Sequence, residues 1–231
     1  MEISIRLDEI INMIDKCERL ADIGTDHGYL AIKAIKINKV NRAIASDINK
    51  GPLMKARTNI ERYNMNEKIV CRLGSGLETL KVGEADCIVI AGMGGNLIRD
   101  ILLKSRKIAE TTPQMILQPT QNPEVLRKFL VENGYKILQE NLCIDNNIFY
   151  EIIKVIYDGV ERKNDEISYE ISDKLIELGN NTVEAYIKHK ISENKKVMSY
   201  INIDSENGRR KKEYLLNKNR LLEEKLNELL N

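Results

Sequence analysis

The chain has 231 residues, enough for one large domain or one domain with an appendage, and enough to bury a real core. Hydrophobic residues at 42% and charged residues at 31% describe a soluble chain, and a net charge of +1 excludes a global basic field, so any nucleic-acid or membrane binding must come from local patches. The four cysteines (Cys17, Cys71, Cys87, Cys143) stand far apart with only His27 and His189 to help, which argues against a structural zinc and for buried thiols in a reducing compartment. No signal-peptide pattern opens the chain, and no apolar run approaches the roughly 20 residues of a membrane span. A cytoplasmic protein without metal or membrane partner is expected.

In chain order, apolar residues at helical spacing (Leu7, Ile10, Ile11, Ile14) predict a helix over 3–14 that covers one side of a sheet. Residues 20–23 read as a short buried strand, followed by a turn that Gly24 permits and a helix running through Leu30, Ile32, Ala34 and Ile35. Strand, tight glycine turn, helix is how doubly wound α/β domains build a nucleotide site at the carboxyl edge of the sheet. A side chain at such a turn would block either the positive-φ bend or the close approach of a ligand. The dinucleotide fingerprint competes for this stretch, but of its three glycines only Gly24 and Gly28 are present, and Asp22 and Asp26 flank the turn. Two carboxylates repel a phosphate and suit an ammonium or sulfonium group; S-adenosylmethionine is such a ligand. The plainer alternative is a simple βα turn with the aspartates capping the helix.

Residues 43–47 form an apolar run ending in an acid, Asp47, 25 residues after Asp22. Nucleotide-binding α/β folds put the carboxylate that accepts from ribose hydroxyls near this place, so Asp47, with Ile48 beside it, is the leading ligand contact. Its alternative is an N-cap for the helix that begins near Gly51-Pro52 and runs over 53–63. A third strand, 69–73, ends in Gly74-Ser75-Gly76-Leu77. A fourth, 85–91, is almost wholly apolar after Asp86, as a central parallel strand should be, and runs into Gly92-Met93-Gly94-Gly95. Repeated strand-then-turn units of this kind argue for parallel strands presenting their carboxyl ends to one crevice.

Residues 114–118 make a further strand, stopped by Pro119, and a helix over 124–132 leads to the Asn133-Gly134 turn. The β-rich segments 135–144 and 148–157 are separated only by Asp145-Asn146-Asn147, which favours an antiparallel hairpin at the sheet edge. The expected fold is therefore α/β, a Rossmann-like sheet that is mostly parallel and ends in an antiparallel hairpin, as in methyltransferases more than dehydrogenases.

Beyond Asp158 the composition shifts to Lys, Glu, Asn and Leu. Two helical patterns, 185–201 and 211–230, are broken by 202–208 and predict a C-terminal helical hairpin resembling a coiled coil. We therefore expect one domain over 1–158 and a second over 159–231. Arg209, Arg210, Lys211 and Lys212 fall at the hairpin tip, and Lys188, Lys190, Lys195 and Lys196 along its first arm, where they either track RNA phosphate or form a solvated face.

Asp22-Ile23-Gly24-Thr25-Asp26-His27-Gly28-Tyr29-Leu30, Gly74-Ser75-Gly76-Leu77, Ala91-Gly92-Met93-Gly94-Gly95 and Leu117-Gln118-Pro119 together resemble the bacterial tRNA (adenine-22)-N1-methyltransferase family, and Ser4-Ile5-Arg6-Leu7 fits its pattern too. The resemblance implies a class I methyltransferase fold, S-adenosylmethionine as cofactor and tRNA as partner. It implies that Asp22, Ile23, Gly24, Asp47, Ile48, Gly74, Ser75, Gly76, Leu77, Ala91 and Gly92 line the cofactor site, with His27, Tyr29 and Met93 near it. Arg6, Arg209, Arg210 and Lys211 are then candidates for substrate contact, and a monomer is expected. The family has Asp-Gly where this chain has Ser75-Gly76; a serine hydroxyl still accepts a hydrogen bond from the cofactor's adenine amino group, without charge assistance.

Adenine N1 carries a free lone pair at neutral pH, whereas the lone pair of N6 is delocalised into the ring. Enzymes acting on N6 typically carry an acid- or amide-headed Pro-Pro-aromatic motif after the fourth strand; here that place holds Gly92-Met93-Gly94-Gly95, which argues for a ring nitrogen. Methylation at N1 makes the base cationic, so a carboxylate beside it stabilises the developing charge, and Asp26 is the candidate. Tyr29 is the candidate for stacking on a base splayed into the pocket. Rival readings are a methyltransferase of the same fold acting on a small molecule or protein, and a non-catalytic RNA-binding protein with a vestigial cofactor pocket.

Overall fold

The computed structural model of the chain describes residues 1–230. It divides into two compact units, Met1–Lys163 and the residues from Asn164 on. The first is built on strands β1 (Cys17–Ile23), β2 (Val40–Asp47), β3 (Ile69–Leu73), β4 (Cys87–Met93), β5 (Gln114–Pro119), β6 (Tyr135–Asp145) and β7 (Ile148–Tyr157). They form one seven-stranded sheet in the order β3-β2-β1-β4-β5-β7-β6. The first five are parallel, and β7 runs antiparallel to both β5 and β6. The mostly parallel sheet with its edge hairpin is thus as the sequence predicts.

Helices α1 (Ile5–Asn12), α2 (Tyr29–Lys36), α3 (Lys50–Arg62), α4 (Gly95–Lys104), α5 (Arg106–Thr111) and α6 (Pro123–Glu132) cover the two faces. Side chains alternate across a strand, so β4 sends Cys87 and Val89 into the core under α1, α2 and α3, and Ile88 and Ile90 into the core under α4, α5 and α6. Burial on both faces is why β4 reads as an unbroken apolar run. The sequence reading named no element for α4 and α5, although Ile98 and Leu102, four residues apart, are fully buried. It also started β1 late, because Glu18 and Arg19 are exposed at the strand's outer end.

The chain leaves β1 toward β2 on one side and returns through β4 on the other. That reversal opens a crevice at the carboxyl ends of β1 and β4, the topological switch point. A buried ion cluster ties the edge hairpin to α6: the Arg127 guanidinium donates to Glu140 on β6 (3.0 and 2.6 Å) and to Glu151 on β7. Truncating Arg127 would strand two buried carboxylates, so the cluster fixes the hairpin's seat on α6. Residues after β7 stay fastened to this unit: Asp158 and Gly159 donate to the Gly134 carbonyl, and Arg162 N–H to the Val131 carbonyl at 2.7 Å.

The second unit holds α7 (Glu166–Glu170), α8 (Asp173–Ile176), α9 (Asn181–Ser199) and α10 (Glu206–Leu230). The sequence patterns gave the two long helices but not the two short ones. Val183, Ile187, Ile191, Leu215 and Leu222 are buried in this unit. Asn219 accepts from Asn194 Nδ2 at 2.8 Å and donates to the Ile191 carbonyl at 3.3 Å, a buried polar pairing that fixes the register of α9 on α10. Glu170 is gripped by Lys190 at 3.0 Å and by Lys218. Helix α10 begins earlier than predicted, so Arg209, Arg210 and Lys211 lie in its first turns rather than beyond a long break.

Candidate functional site

A cavity of about 370 Å³ opens at the switch point, lined by the β1–α2 turn from Gly24 to Leu30, by Asp22, Ala91, Gly92 and Thr120, and by Arg6, Leu7 and Tyr150. The turn is latched to the neighbouring strand, since the N–H groups of Gly24 and Thr25 both donate to the Ser46 carbonyl, at 2.8 and 2.9 Å. Gly24 has φ +80°, and a Cβ there would stand 2.2 Å from the Met93 methyl carbon. Any other residue there must push the end of the Met93 side chain aside and strain its own backbone.

Asp22 is buried and accepts from the Thr25 hydroxyl at 2.7 Å. Burial pushes its carboxyl up to about 6, with the Thr25 hydrogen bond opposing and the charge of Asp47 adding. Asp26 is exposed and touches His27 Nε2 at 3.2 Å. Neither aspartate caps α2, whose N-cap is Gly28 in the left-handed region, so the capping alternative does not hold. The His27 and Tyr29 rings stack at 5.4 Å between centroids and 9° between planes, and the Asn59 amide steadies the His27 carbonyl at 3.0 Å. Tyr29 is thus already paired with one ring on the cavity wall.

Asp47 ends β2, and one of its oxygens accepts from the Asn49 N–H at 2.6 Å. The N-cap of α3 is Asn49, not Asp47, which leaves the other carboxylate oxygen open. Ile48 beside it is 64% exposed. The β3 turn is joined to the same edge, since Gly74 N–H donates to the Asp47 carbonyl at 3.0 Å. Ser75 precedes a short 3₁₀ turn, Gly76–Thr79, and its hydroxyl makes no cap hydrogen bond. Asp47, Ile48, Gly74, Ser75, Gly76 and Met93 therefore lie along the sheet edge that carries the cavity without lining the cavity itself. The side chains of Ile23 and Leu77 are packed in the core, so only their backbone is available to a ligand. Arg209, Arg210 and Lys211 belong to the second unit.

Sequence reasoning gave no ligand role to Leu7, Thr25, Gly28, Leu30, Thr120 or Tyr150, all of which line the cavity, nor to Gln118. Gln118 is fully buried at the end of β5, and its Oε1 accepts from both Gly92 N–H (3.1 Å) and Arg6 Nη1 (2.8 Å). The signal was an amide in an apolar strand just before a proline. Among the described residues, no group of three or more His, Cys, Asp or Glu is placed to hold a metal ion.

This edge fits a cationic nucleoside ligand such as S-adenosylmethionine. Gly24 lines the cavity with backbone alone, Asp22 and Asp26 set a negative potential over the turn, and Asp47 holds an oxygen free for a sugar hydroxyl. The comparisons agree. Residues 3–153 match the family model described as methyltransferase domain. The tRNA (adenine(22)-N(1))-methyltransferase of Bacillus subtilis is 35% identical over 167 residues, which span 69% of this chain and 70% of that protein. The crystal structure of the B. subtilis m1A22 tRNA methyltransferase TrmK superposes with a TM-score of 0.87 at 29% identity, covering 97% of this chain and 99% of the other. That of Mycoplasma capricolum TrmK in complex with the cofactor product S-adenosyl-homocysteine gives 0.85 at 26% identity, covering 99% and 100%. With the fold, the acid-flanked glycine turn and these likenesses in agreement, the chain belongs to the bacterial tRNA (adenine-22)-N1-methyltransferase family.

Proposed function

We infer that this protein transfers the methyl group of S-adenosylmethionine to N1 of an adenine in tRNA, at position 22 as in its relatives. The carrying observation is the acid-flanked Gly24 turn at the switch point of the sheet, in a chain of this family. When bound, S-adenosylmethionine supplies an electrophilic methyl group on a sulfonium sulfur. The displacement is in line, so the protein's work is alignment.

Asp47 accepts from the ribose hydroxyls with its open oxygen. The exposed side chain of Ile48 packs on the cofactor's adenine, and the Ser75 hydroxyl with the backbone of Gly74, Gly76 and Leu77 meets its polar edge. The backbone of Ile23, Gly24, Ala91, Gly92 and Met93 approaches the remainder, beside His27. N1 of the target base needs no deprotonation, consistent with a turn after β4 that carries no acidic or amide head group. The Asp26 carboxylate, at the mouth of the cavity, stabilises the positive charge that builds on the ring. Tyr29, stacked with His27, offers a ring edge or face to the splayed base.

The division of labour is between a methyltransferase domain, which the sequence reading ends at residue 158 and the first compact unit extends to Lys163, and a tRNA-binding tail after it, whose Arg210 and Lys211 contact phosphate. Among the described residues no helix is long and apolar enough to cross a membrane. An enzyme acting on tRNA works where tRNA is, and we place this one in the cytoplasm as a monomer.

Label transfer from S-adenosylmethionine to two tRNA transcripts, one with adenine and one with guanine at position 22, tests the reading. We expect about one methyl per tRNA with adenine and background with guanine, whose N1 carries a proton. Equal labelling of both would overturn it.

A further inference from the structure

The cations of the first unit are neutralised unequally on its two faces. Of the four on α4 and α5, three stand against carboxylates: Arg99 against Asp100 at 2.9 Å, Lys104 against Glu78 at 3.0 Å, and Arg106 against Glu110. Helix α3, on the other face, carries Lys50, Lys55, Arg57 and Arg62, and among the described residues none of these has a carboxylate partner. The acid of this helix, Glu61, lines a small pocket beside β3 together with Arg57, which is hydrogen-bonded to Cys71. Buried Leu53, Ala56 and Ile60 mark the inner side of α3, so Lys55 and Arg62, both exposed, stand on its outer side. Seven residues of helix separate them by roughly 10 Å along the axis. Lys36, from the last turn of α2, joins them through the residue next to Arg62: its Nζ lies 3.9 Å from the centroid of the Tyr63 ring. Its neighbour Lys33 is already paired with Asp8, at 3.7 Å.

Helix α3 is fastened to the cavity wall. Asn59 Nδ2 donates to the His27 carbonyl at 3.0 Å, and a Cβ on Gly28 would meet the Ala56 Cβ at 3.4 Å. His27 and Gly28 line the cavity with Asp26 and Tyr29 on either side of them in the chain. The mouth itself is unfavourable to RNA. Asp26, its side chain 67% exposed, and Asp22 behind it repel the phosphates of a strand that delivers a base. Such a strand approaches where cations free of acidic partners stand beside the mouth and release its counterions.

We propose that Lys55 and Arg62 on the outer side of α3, with Lys36 seated beside them on Tyr63, form a phosphate-binding stripe on the methyltransferase unit itself. It takes the backbone of the tRNA strand that carries the target adenine, in addition to the contacts of the tail. The proposal rests on tRNA being the substrate. The stripe positions the strand and touches neither the cofactor nor the reacting nitrogen.

Steady-state methylation of a tRNA transcript over a range of salt concentrations, with calorimetry for S-adenosylmethionine, tests it on the full chain. Lys55→Gln with Arg62→Gln should raise the KM for tRNA about five- to twentyfold at low salt and make its logarithmic salt dependence shallower by about one to two, the loss of two phosphate contacts. Cofactor affinity and kcat should stay as in the wild type. Lys55→Arg with Arg62→Lys, which keeps both charges, should behave as the wild type. Arg99→Gln with Lys104→Gln removes the same net charge from the opposite face and should leave the KM unchanged. An unaltered KM and salt slope in the Lys55 and Arg62 glutamine variant would overturn the proposal and make the stripe a solvated face, while leaving tRNA as the substrate. An equal rise in the Arg99 and Lys104 variant would overturn it too, since the effect would then belong to net charge and not to this face. So would a loss in the charge-keeping variant as large as in the glutamine variant, which would make the role structural. No methylation of tRNA by the wild type would instead overturn the substrate reading, and the stripe with it.

Discussion

The Met93 methyl carbon occupies the space that a Cβ on Gly24 would need, 2.2 Å away, so the turns after β1 and β4 interlock through one missing side chain. Gly24→Ala must both displace Met93 and hold φ at +80°, where an L-residue pays roughly 1–2 kcal/mol. We expect affinity for S-adenosylmethionine to fall by about tenfold or more. Met93→Ala placed on top should recover the steric part only, leaving a deficit from the backbone. Calorimetry on the single and double variants checks this, and a Gly24→Ala protein with unaltered affinity would remove the turn from the site.

Asp47 has one oxygen engaged by Asn49 N–H and one open. Asp47→Ala should weaken the cofactor by about 1 to 3 kcal/mol, because ribose hydroxyls lose a charged acceptor in a cleft. Melting temperature should change little, since the lost turn contact is exposed. Unchanged affinity would take Asp47 out of the ligand contacts.

Asp22 gives a pH dependence with a definite sign. Its carboxyl titrates at about 6 in the fold against an ordinary 3.8, so the folded state holds the proton more tightly than the unfolded chain. Its contribution to stability therefore declines as pH rises from about 4 to about 6 and is constant above that. Asp22→Asn should raise the melting temperature at neutral pH, where the wild type carries a buried charge. It should also weaken S-adenosylmethionine, and the fall in wild-type affinity as pH drops through about 6 should flatten in the variant. Calorimetric titrations at a series of pH values read both effects; a parallel pH profile in the two proteins would assign the titration elsewhere.

In the tail the basic residues are not equivalent. Arg209 Nη1 donates to the Ile203 and Asp204 carbonyls at 3.0 and 3.1 Å and so closes the α9–α10 connector, whereas Arg210 pairs only with exposed Glu206 at 2.5 Å. Arg210→Ala with Lys211→Ala should raise the KM for tRNA several-fold and lessen its salt dependence, with kcat and S-adenosylmethionine affinity unchanged. Arg209→Ala should instead lower helix stability by circular dichroism. Unaltered KM in the double variant would make the patch a solvated face.

How much of this was legible beforehand follows from periodicity. Parallel strands buried on both faces appear as apolar runs, and four of the five parallel strands ended at a glycine or at Asp47, the fifth at Pro119, so the crevice edge could be drawn from the sequence alone. What pattern cannot show is contact between distant segments. Gln118 reaching Arg6 across 112 residues and Tyr150 supplying a ring from the edge hairpin are products of packing. Leu77 is marked by the motif as a site residue, and packing sends its side chain into the core, which leaves only its backbone to a ligand. The capping alternatives for Asp26 and Asp47 were equally open until the structure put Gly28 and Asn49 at the N-caps.

The central claim concerns the atom that receives the methyl group. The turn Gly92-Met93-Gly94-Gly95 offers no acidic or amide side chain to hold an amino group and draw off its proton, and Asp26, on the cavity wall, is the carboxylate we propose for the cationic ring. Asp26→Asn should accordingly lower kcat more than it raises KM. The most direct measurement is mild enzymatic digestion of the modified tRNA, avoiding the alkaline conditions that rearrange one isomer into the other, with chromatography against authentic N1- and N6-methyladenosine. N1-methyladenosine is the predicted product; N6-methyladenosine under those conditions would contradict the account.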